Sequence, residues 1–342
     1  MYTDTPKPSL DDEEFQNHIL KGVSRTFALT IPQLPPRLSR VVSNAYLLCR
    51  IADSIEDDKD MSLAHKREFS EFLIAIVAGD KAPARFSKDL IPLLSKSSPT
   101  NEIKLIKNLN AIIRITHSLN KNQHTSLTRC LRTMLHGMTK YQENNVHNGL
   151  KTQQEMDSYC YFVAGVVGEM LTELFCDYSY EINQHYDELM KLSISFGQGL
   201  QMTNILKDIW DDKERNMCWL PQDIFQRYGS DLFNLSSENI TDGDRLAIGH
   251  LIEISRIHLE SALEYSLIIP THETGIRRFC LWALGMAILT LHNINQHRDF
   301  TSGQQVKITK INVKVVILLA NLLTKHDGVL KWLFNFYARK LK

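Results

Sequence analysis

Tyr46-Leu-Leu-Cys-Arg-Ile-Ala-Asp-Ser-Ile-Glu-Asp57 sets apolar residues at helical steps and spaces Tyr46, Arg50, Asp53 and Asp57 four, three and four residues apart. That spacing lines a phenol, a guanidinium and two carboxylates along one helix face. Later in the chain, Gln201-Met-Thr-Asn-Ile-Leu-Lys-Asp-Ile-Trp-Asp-Asp212 repeats the device. Here Asn204, Asp208 and Asp212 form an i, i+4, i+8 oxygen stripe, predicted to run unbroken along a helix that also carries Met202, Ile205, Leu206, Ile209 and Trp210. Like charges at i and i+4 destabilise an isolated helix by about 0.2–0.5 kcal/mol, and cost more when buried. Two such pairs in apolar helices call for a counter-charge, and a divalent metal supplies one. Magnesium (Mg2+) takes oxygen ligands and is usually held by one or two carboxylates plus substrate phosphates. Two acidic faces opposed across a helical cavity would bridge it to a diphosphate and stabilise that group as it leaves. The reaction class indicated is ionisation of an allylic diphosphate. The plainer alternative for each stripe is a solvated polar face, with Arg50 merely contacting Asp53 or Ser54.

The remaining periodicity is also helical. Apolar residues recur at three- and four-residue steps through 38–56, 62–79, 102–119, 126–143, 154–177, 184–211, 243–266, 274–296 and 310–340, and no strand series emerges. Breaks are expected at Pro32 to Pro36, Gly79 to Pro83, Ser97 to Thr100, Pro221 and Pro270. An all-α, mostly antiparallel bundle follows. No linker, low-complexity tract or block of like charge divides it, so 1–342 is expected to be a single domain. At this length about three quarters of the unfolded surface can be buried, leaving room for an enclosed apolar cavity. Lys plus Arg and Asp plus Glu are both 39, so no global field favours nucleic acid. The six cysteines are scattered without metal-site spacing, as in a reduced cytoplasmic protein. Met1 to Gln16 is acidic and polar, unlike a signal peptide, and no uninterrupted apolar run reaches the roughly 18 residues of a membrane span. The basic amphipathic tail 325–342 reads either as a helix closing the bundle or as a peripheral contact with an anionic membrane.

Three further segments carry chemistry. Tyr159-Cys-Tyr-Phe-Val-Ala-Gly-Val-Val-Gly168 offers Ala164, Gly165 and Gly168, small enough for a neighbouring helix or an extended hydrocarbon to approach the backbone. Glycine in a helix costs about 1 kcal/mol relative to alanine, so a packing or functional reason is needed. Tyr159 and Tyr161 are either core residues or groups that steer a cation and handle a proton. Ser24-Arg-Thr-Phe27 presents hydroxyls and a guanidinium for phosphate, while Lys307 and Lys310 in Val306-Lys-Ile-Thr-Lys310 would meet a nucleotide phosphate or water.

Together with Trp219-Leu-Pro-Gln222, these segments resemble the squalene/phytoene synthase family, the head-to-head branch of the isoprenoid synthases, over most of the chain. Gly137-Met138, Phe279-Cys280, Met286-Ala287 and Val306 to Lys310 are more similar to its squalene synthases than to its phytoene synthases. The resemblance implies an isoprenoid-synthase bundle around a central cavity. It further implies condensation of two farnesyl diphosphates to presqualene diphosphate, then NADPH-dependent rearrangement to squalene. Dehydrosqualene or phytoene synthesis without reductant is the alternative, and a non-catalytic prenyl-lipid-binding protein is a second. Carried over by position, Asp53, Glu56, Asp57, Asn204, Asp208 and Asp212 would hold magnesium, with Tyr159 assisting the first condensation beside those aspartates. Arg25, Tyr46, Arg50, Lys207 and Gln201 would bind diphosphate, and Phe27, Val163, Ala164, Val167 and Gly168 the prenyl chain. Ser24, Asn204, Lys307 and Lys310 would contact NADPH. Three positions depart from the family: Lys207 replaces arginine, Thr309 replaces a basic residue of the cofactor loop, and Ala283-Leu284 replaces Pro-Gln. Lysine keeps the charge but loses the bidentate fork. No long C-terminal membrane anchor is expected. Prenyl chain length, NADPH against NADH, and oligomeric state stay open.

Overall fold

The structure, a computed structural model, describes residues 7–24, 26–143 and 146–341. Among them every regular element is helical, and β pairing is confined to isolated bridges at Leu150 with Pro221 and Ser236 with Asn239. The chain is all-α, as its periodicity requires. It forms two compact units, one from Met1–Glu143 with Glu173–Asn183, the other from Asn144–Thr172 with Gln184–Lys342.

In the first unit, helix Pro36–Glu56 packs against helices Leu10–Val23, Thr100–Lys107, Leu109–His117 and Lys121–Glu143. Proline at its first turn suits a position with no intrahelical N–H bond to lose. Its register is fixed by a buried amide. Asn44 donates to Gln16 Oε1 (3.2 Å) and the Ile112 carbonyl (3.0 Å), and accepts from Thr116 Oγ1 (2.8 Å). Helix Leu10–Val23, which periodicity does not announce, begins with a capping box between Ser9 and Asp12. Arg114 clasps the same Asp12 through Nε (2.9 Å) and Nη2, and this hydrogen bonding holds the carboxyl down at about 2.

In the second unit, helix Tyr186–Lys207 packs against Asp242–Ile268, Thr274–Gln296 and the π-helical turn Tyr161–Gly165. That turn joins Gln153–Cys160 to Val166–Tyr178. The backbones meet without side chains between them. A Cβ on Gly168 would lie 2.2 Å from the Ser193 carbonyl oxygen, and one on Gly197 2.3 Å from that of Ala164. Further on, fully buried Arg277 donates from Nη1 to the Ile269 carbonyl (2.8 Å) and pairs through Nη2 with Asp327, securing the start of helix Asp327–Ala338.

Three predicted helices are each divided in two. The 102–119 segment breaks at Asn108, whose side chain bonds the Lys104 carbonyl; Asn favours such local bonds over helix continuation. The 184–211 segment breaks at Asp208, and 310–340 between Leu323 and Asp327. All six cysteines are free, five of them buried. Among the described residues two helices, Gln153–Tyr178 and Thr274–Gln296, are by length and composition alone long and apolar enough to cross a membrane. Polar residues punctuate both, and 50% and 72% of their most apolar windows are buried within the protein.

Gly168→Ala should destabilise the protein by about 1–3 kcal/mol, because the backbone it meets has no rotamer to give. Gly328→Ala, in a helix with nothing within 4 Å, should be neutral or stabilising by up to about 1 kcal/mol. Urea melts of the two variants make the comparison.

Candidate active site

Both acidic clusters fall at helix C-termini, where the macrodipole is already negative. In the first unit, helix Pro36–Glu56 carries Tyr46, Arg50, Asp53 and Glu56, and Asp57 is its C-cap, donating its N–H to the Asp53 carbonyl (2.8 Å). Arg50 Nη1 lies 3.6 Å from Asp53 Oδ2, yet its closer partner is Glu102, bonded through Nη2. Glu102 is 8% exposed and also accepts from Ser54 Oγ (2.8 Å). Arg50 Nε is buried with no hydrogen-bond partner among the described residues. Lys66 closes the helix end by donating from Nζ to the Glu56 carbonyl.

Burial pushes the Asp53 carboxyl up to about 7, against the pull of Arg50 and with the push of Asp57 and Glu102. Because 35% of that side chain stays open to solvent, water tempers the effect. Burial lowers the Lys66 ammonium and raises the Tyr46 phenol. The Tyr46 hydroxyl donates to the Val23 carbonyl (3.3 Å) and its ring lies 5.1 Å from that of Phe27. Ser24 Oγ accepts from the Phe27 N–H (3.0 Å), so Ser24, Phe27 and Tyr46 gather at one end of the stripe. Arg25 lies outside the described residues.

In the second unit, helix Tyr186–Lys207 presents Gln201, Asn204 and Lys207, and Asp208 follows as a non-helical junction before Ile209–Glu214. The stripe is therefore not on one unbroken helix. Bonds from Asp208 N to the Asn204 carbonyl and from Asp212 N to the Asp208 carbonyl, both 2.9 Å, nevertheless preserve the four-residue spacing. Trp210 Nε1 donates to the Phe300 carbonyl (2.7 Å), tying the short helix to the 300 segment. Lys207 Nζ reaches Asn204 Oδ1 (3.3 Å) and Asp208 Oδ2 (3.1 Å), and Arg215 pairs with buried Asp212. Burial raises the Asp208 carboxyl, opposed by Lys207.

A Cβ on Gly303 would lie 3.0 Å from the Lys207 carbonyl and 3.4 Å from Asp208 Oδ1, so the segment leading to Lys307 rests on this helix end. Lys307 and Lys310 are exposed, and Thr309 is the N-cap of helix Lys310–Leu323, accepting from the Asn312 N–H (3.1 Å). Tyr159 is 5% exposed and stacks on Trp219 at 3.8 Å and 6°. Val163 and Ala164 lie in the π turn, Val167 and Gly168 in the helix after it, and the Tyr161 hydroxyl donates to Glu169 (3.3 Å).

Among the described residues no three His, Cys, Asp or Glu side chains converge on a ready-made metal position. Magnesium fits the donor set nonetheless. Every candidate donor is oxygen, and this ion needs only one or two carboxylates from the protein. Glu102, Lys66, Gly303 and the Trp219 stack escaped the sequence reading, since their partners lie far along the chain. Arg215, three residues after Asp212, was legible as an i, i+3 pair.

This all-α architecture, with an oxygen-rich stripe and a resident cation in each unit, is that of an isoprenoid synthase. The chain belongs to the squalene/phytoene synthase family, whose model matches residues 20–312. It is 29% identical over 310 residues to squalene synthase ERG9 of Gibberella zeae, covering 89% of this chain and 63% of that one. Against squalene synthase ERG9 of Saccharomyces cerevisiae the identity is 29% over 332 residues, covering 95% and 70%. The chain thus spans about two thirds of the length of these relatives. Among solved structures, TcSQS in complex with the ligand BPH1237 superposes with a TM-score of 0.73 at 20% identity, covering 97% of this chain and 98% of that one, a likeness of fold.

The raised Asp53 group makes a signed prediction for metal-free protein. A folded pKa above the ordinary 3.8 contributes stability that is full below that value and is lost as pH rises through about 7. Asp53→Asn should therefore gain stability relative to wild type between pH 4 and pH 7. Parallel denaturant curves for the two proteins across that range would show instead that Asp53 titrates normally.

Proposed function

We propose that this chain joins two farnesyl diphosphates head to head into presqualene diphosphate, then rearranges and reduces that intermediate to squalene with NADPH. Family membership supports the reaction class. The observation that carries the reading is that each unit pairs an all-oxygen stripe with its own cation: Asp53, Glu56 and Asp57 with Arg50, and Asn204, Asp208 and Asp212 with Lys207. Magnesium bound to these oxygens would withdraw charge from a diphosphate and make it a better leaving group.

The protein's own groups do the rest. Arg50, paired with Glu102 through Nη2, supplies a guanidinium charge for a phosphate oxygen. Lys207 supplies a point charge at the second stripe and Gln201 an amide one turn or so before it, while Tyr46 and Arg25 complete the diphosphate contacts. Tyr159, restrained by the Trp219 stack, assists the first condensation. Val163, Ala164 and Val167 of the second unit, and Phe27 of the first, are each candidates for contact with a prenyl chain, while Gly168 meets the Ser193 carbonyl instead. Asn204, Lys307 and Lys310 of the second unit, and Ser24 of the first, are each candidates for contact with NADPH. Thr309 contributes a helix cap where the family has a charge, so Lys307 carries more of the cofactor's phosphate binding.

Purified protein incubated with farnesyl diphosphate and magnesium should yield squalene only when NADPH is added, with products identified by mass spectrometry. A C30 product indifferent to NADPH would replace this reading with dehydrosqualene synthesis, and absence of turnover would point to a longer substrate or a non-catalytic protein. Asp208→Ala should lower turnover by roughly 100-fold or more with the fold retained. Lys307→Ala should let presqualene diphosphate accumulate in the presence of NADPH; unchanged squalene output would remove Lys307 from the cofactor site.

A further inference from the structure

The last two long helices of the second unit turn an apolar side to solvent. Both pack on helix Thr274–Gln296. Helix Lys310–Leu323 buries Val316 and Ala320, with Val316 Cγ1 2.7 Å from where a Cβ on Gly285 would sit, and helix Asp327–Ala338 buries Leu330, Phe334 and Ala338. Away from that contact, Ile311, Val315, Leu318 and Leu322 are 72, 44, 57 and 64% exposed, an i, i+4, i+7, i+11 series. On the following helix Val329, Trp332 and Phe336 are 45, 65 and 47% exposed. Trp332 and Phe336 stack at 5.9 Å, and Lys340 Nζ stands 4.5 Å over the Phe336 ring. Single exposed apolar residues need no explanation, but two consecutive helices with unpartnered apolar stripes mark an interaction surface.

Charge selects the partner. From residue 310 to 341 the cations are Lys310, Lys314, Lys325, Lys331, Arg339 and Lys340, all exposed, and the sole carboxylate in the sequence there is Asp327, which Arg277 already engages. The whole chain is balanced at 39 against 39, so this local excess is a property of the two helices. Protein interfaces are depleted in lysine, whereas Trp, Phe and Leu flanked by lysine compose helices that lie in the head-group layer of a bilayer. We propose that the outward sides of helices Lys310–Leu323 and Asp327–Ala338 dock on an anionic lipid surface. Their apolar stripes enter the head-group and acyl boundary, and Lys314, Lys325, Lys331 and Lys340 meet the head groups. This inference needs no catalytic step and goes beyond the reaction proposed above.

Sedimentation of the full chain with vesicles tests it. Binding is expected to vesicles of phosphatidylcholine mixed with phosphatidylglycerol, much less to phosphatidylcholine alone, and to weaken as salt is raised. Leu318→Glu with Trp332→Glu should lower binding by on the order of tenfold or more, and each of Lys314→Gln and Lys331→Gln by about fivefold. Circular dichroism and thermal melting verify the fold, and Leu322→Glu with Phe336→Glu provides a second pair should the first fail to fold. No binding to the mixed vesicles, or binding unchanged in a folded double variant, overturns the proposal. So does a dimer in gel filtration that the double variant abolishes, if the wild type ignores vesicles, since the surface would then join two copies of this chain.

Discussion

A carboxylate set among apolar side chains at the C-terminus of a helix must be neutralised, and both units are organised around that requirement. Burial and the helix dipole each disfavour the charge, so the two effects add rather than offset. The first unit answers with Arg50, itself fixed by Glu102 and Ser54, and with Lys66 on the terminal carbonyl of the helix. The second answers with Lys207 and Arg215. Neither answer is complete, because Asp53 and Asp208 remain displaced toward the protonated form. What is left over is an appetite for additional positive charge at oxygen ligands. A half-buried pair such as Arg50 with Glu102 is a weak source of stability, since desolvation offsets part of its attraction. Its value here is positional, for it holds the guanidinium with Nη1 3.6 Å from Asp53 Oδ2.

The helical class and the two acidic stripes were legible because both depend on spacing within a single helix. Helix Thr274–Gln296 begins and ends where the periodicity places it. What escaped were contacts between residues distant in sequence. Glu102 reaches Arg50 from another helix 52 residues away, and nothing local in Thr100 to Lys107 marks it as a partner. The interruption at Asp208 was hidden because the apolar pattern and the four-residue hydrogen bonds both continue through it. Helix Leu10–Val23 was hidden for the opposite reason, since its buried face includes the polar Asp12 and Gln16, which only the folded arrangement satisfies.

Small residues give a mixed lesson. The sequence left Gly168 open to either a helix or a hydrocarbon, and the structure puts the Ser193 carbonyl against it, with Gly197 and Ala164 making the reciprocal approach. Thr309 likewise reads as a lost charge from sequence alone, yet it begins the helix that carries the exposed apolar stripe. Residues compared by type with a family pattern thus acquired meaning only when their backbone roles were known.

The π turn at Tyr161–Gly165 lies between Tyr159 and Gly168, and it fixes the angular relation of the two ends of the segment. A π turn holds one residue more than the α turn it interrupts, and each residue of an α-helix advances about 100° around the axis. Winding the same residues as regular α-helix, with none deleted, would rotate everything before the turn by roughly that angle. Tyr159 would then leave the ring of Trp219 with no change in its own identity or in any residue that touches it. The extra residue therefore works as a phase shift, allowing the glycine contact with Ser193 and the aromatic stack to be satisfied by one continuous segment.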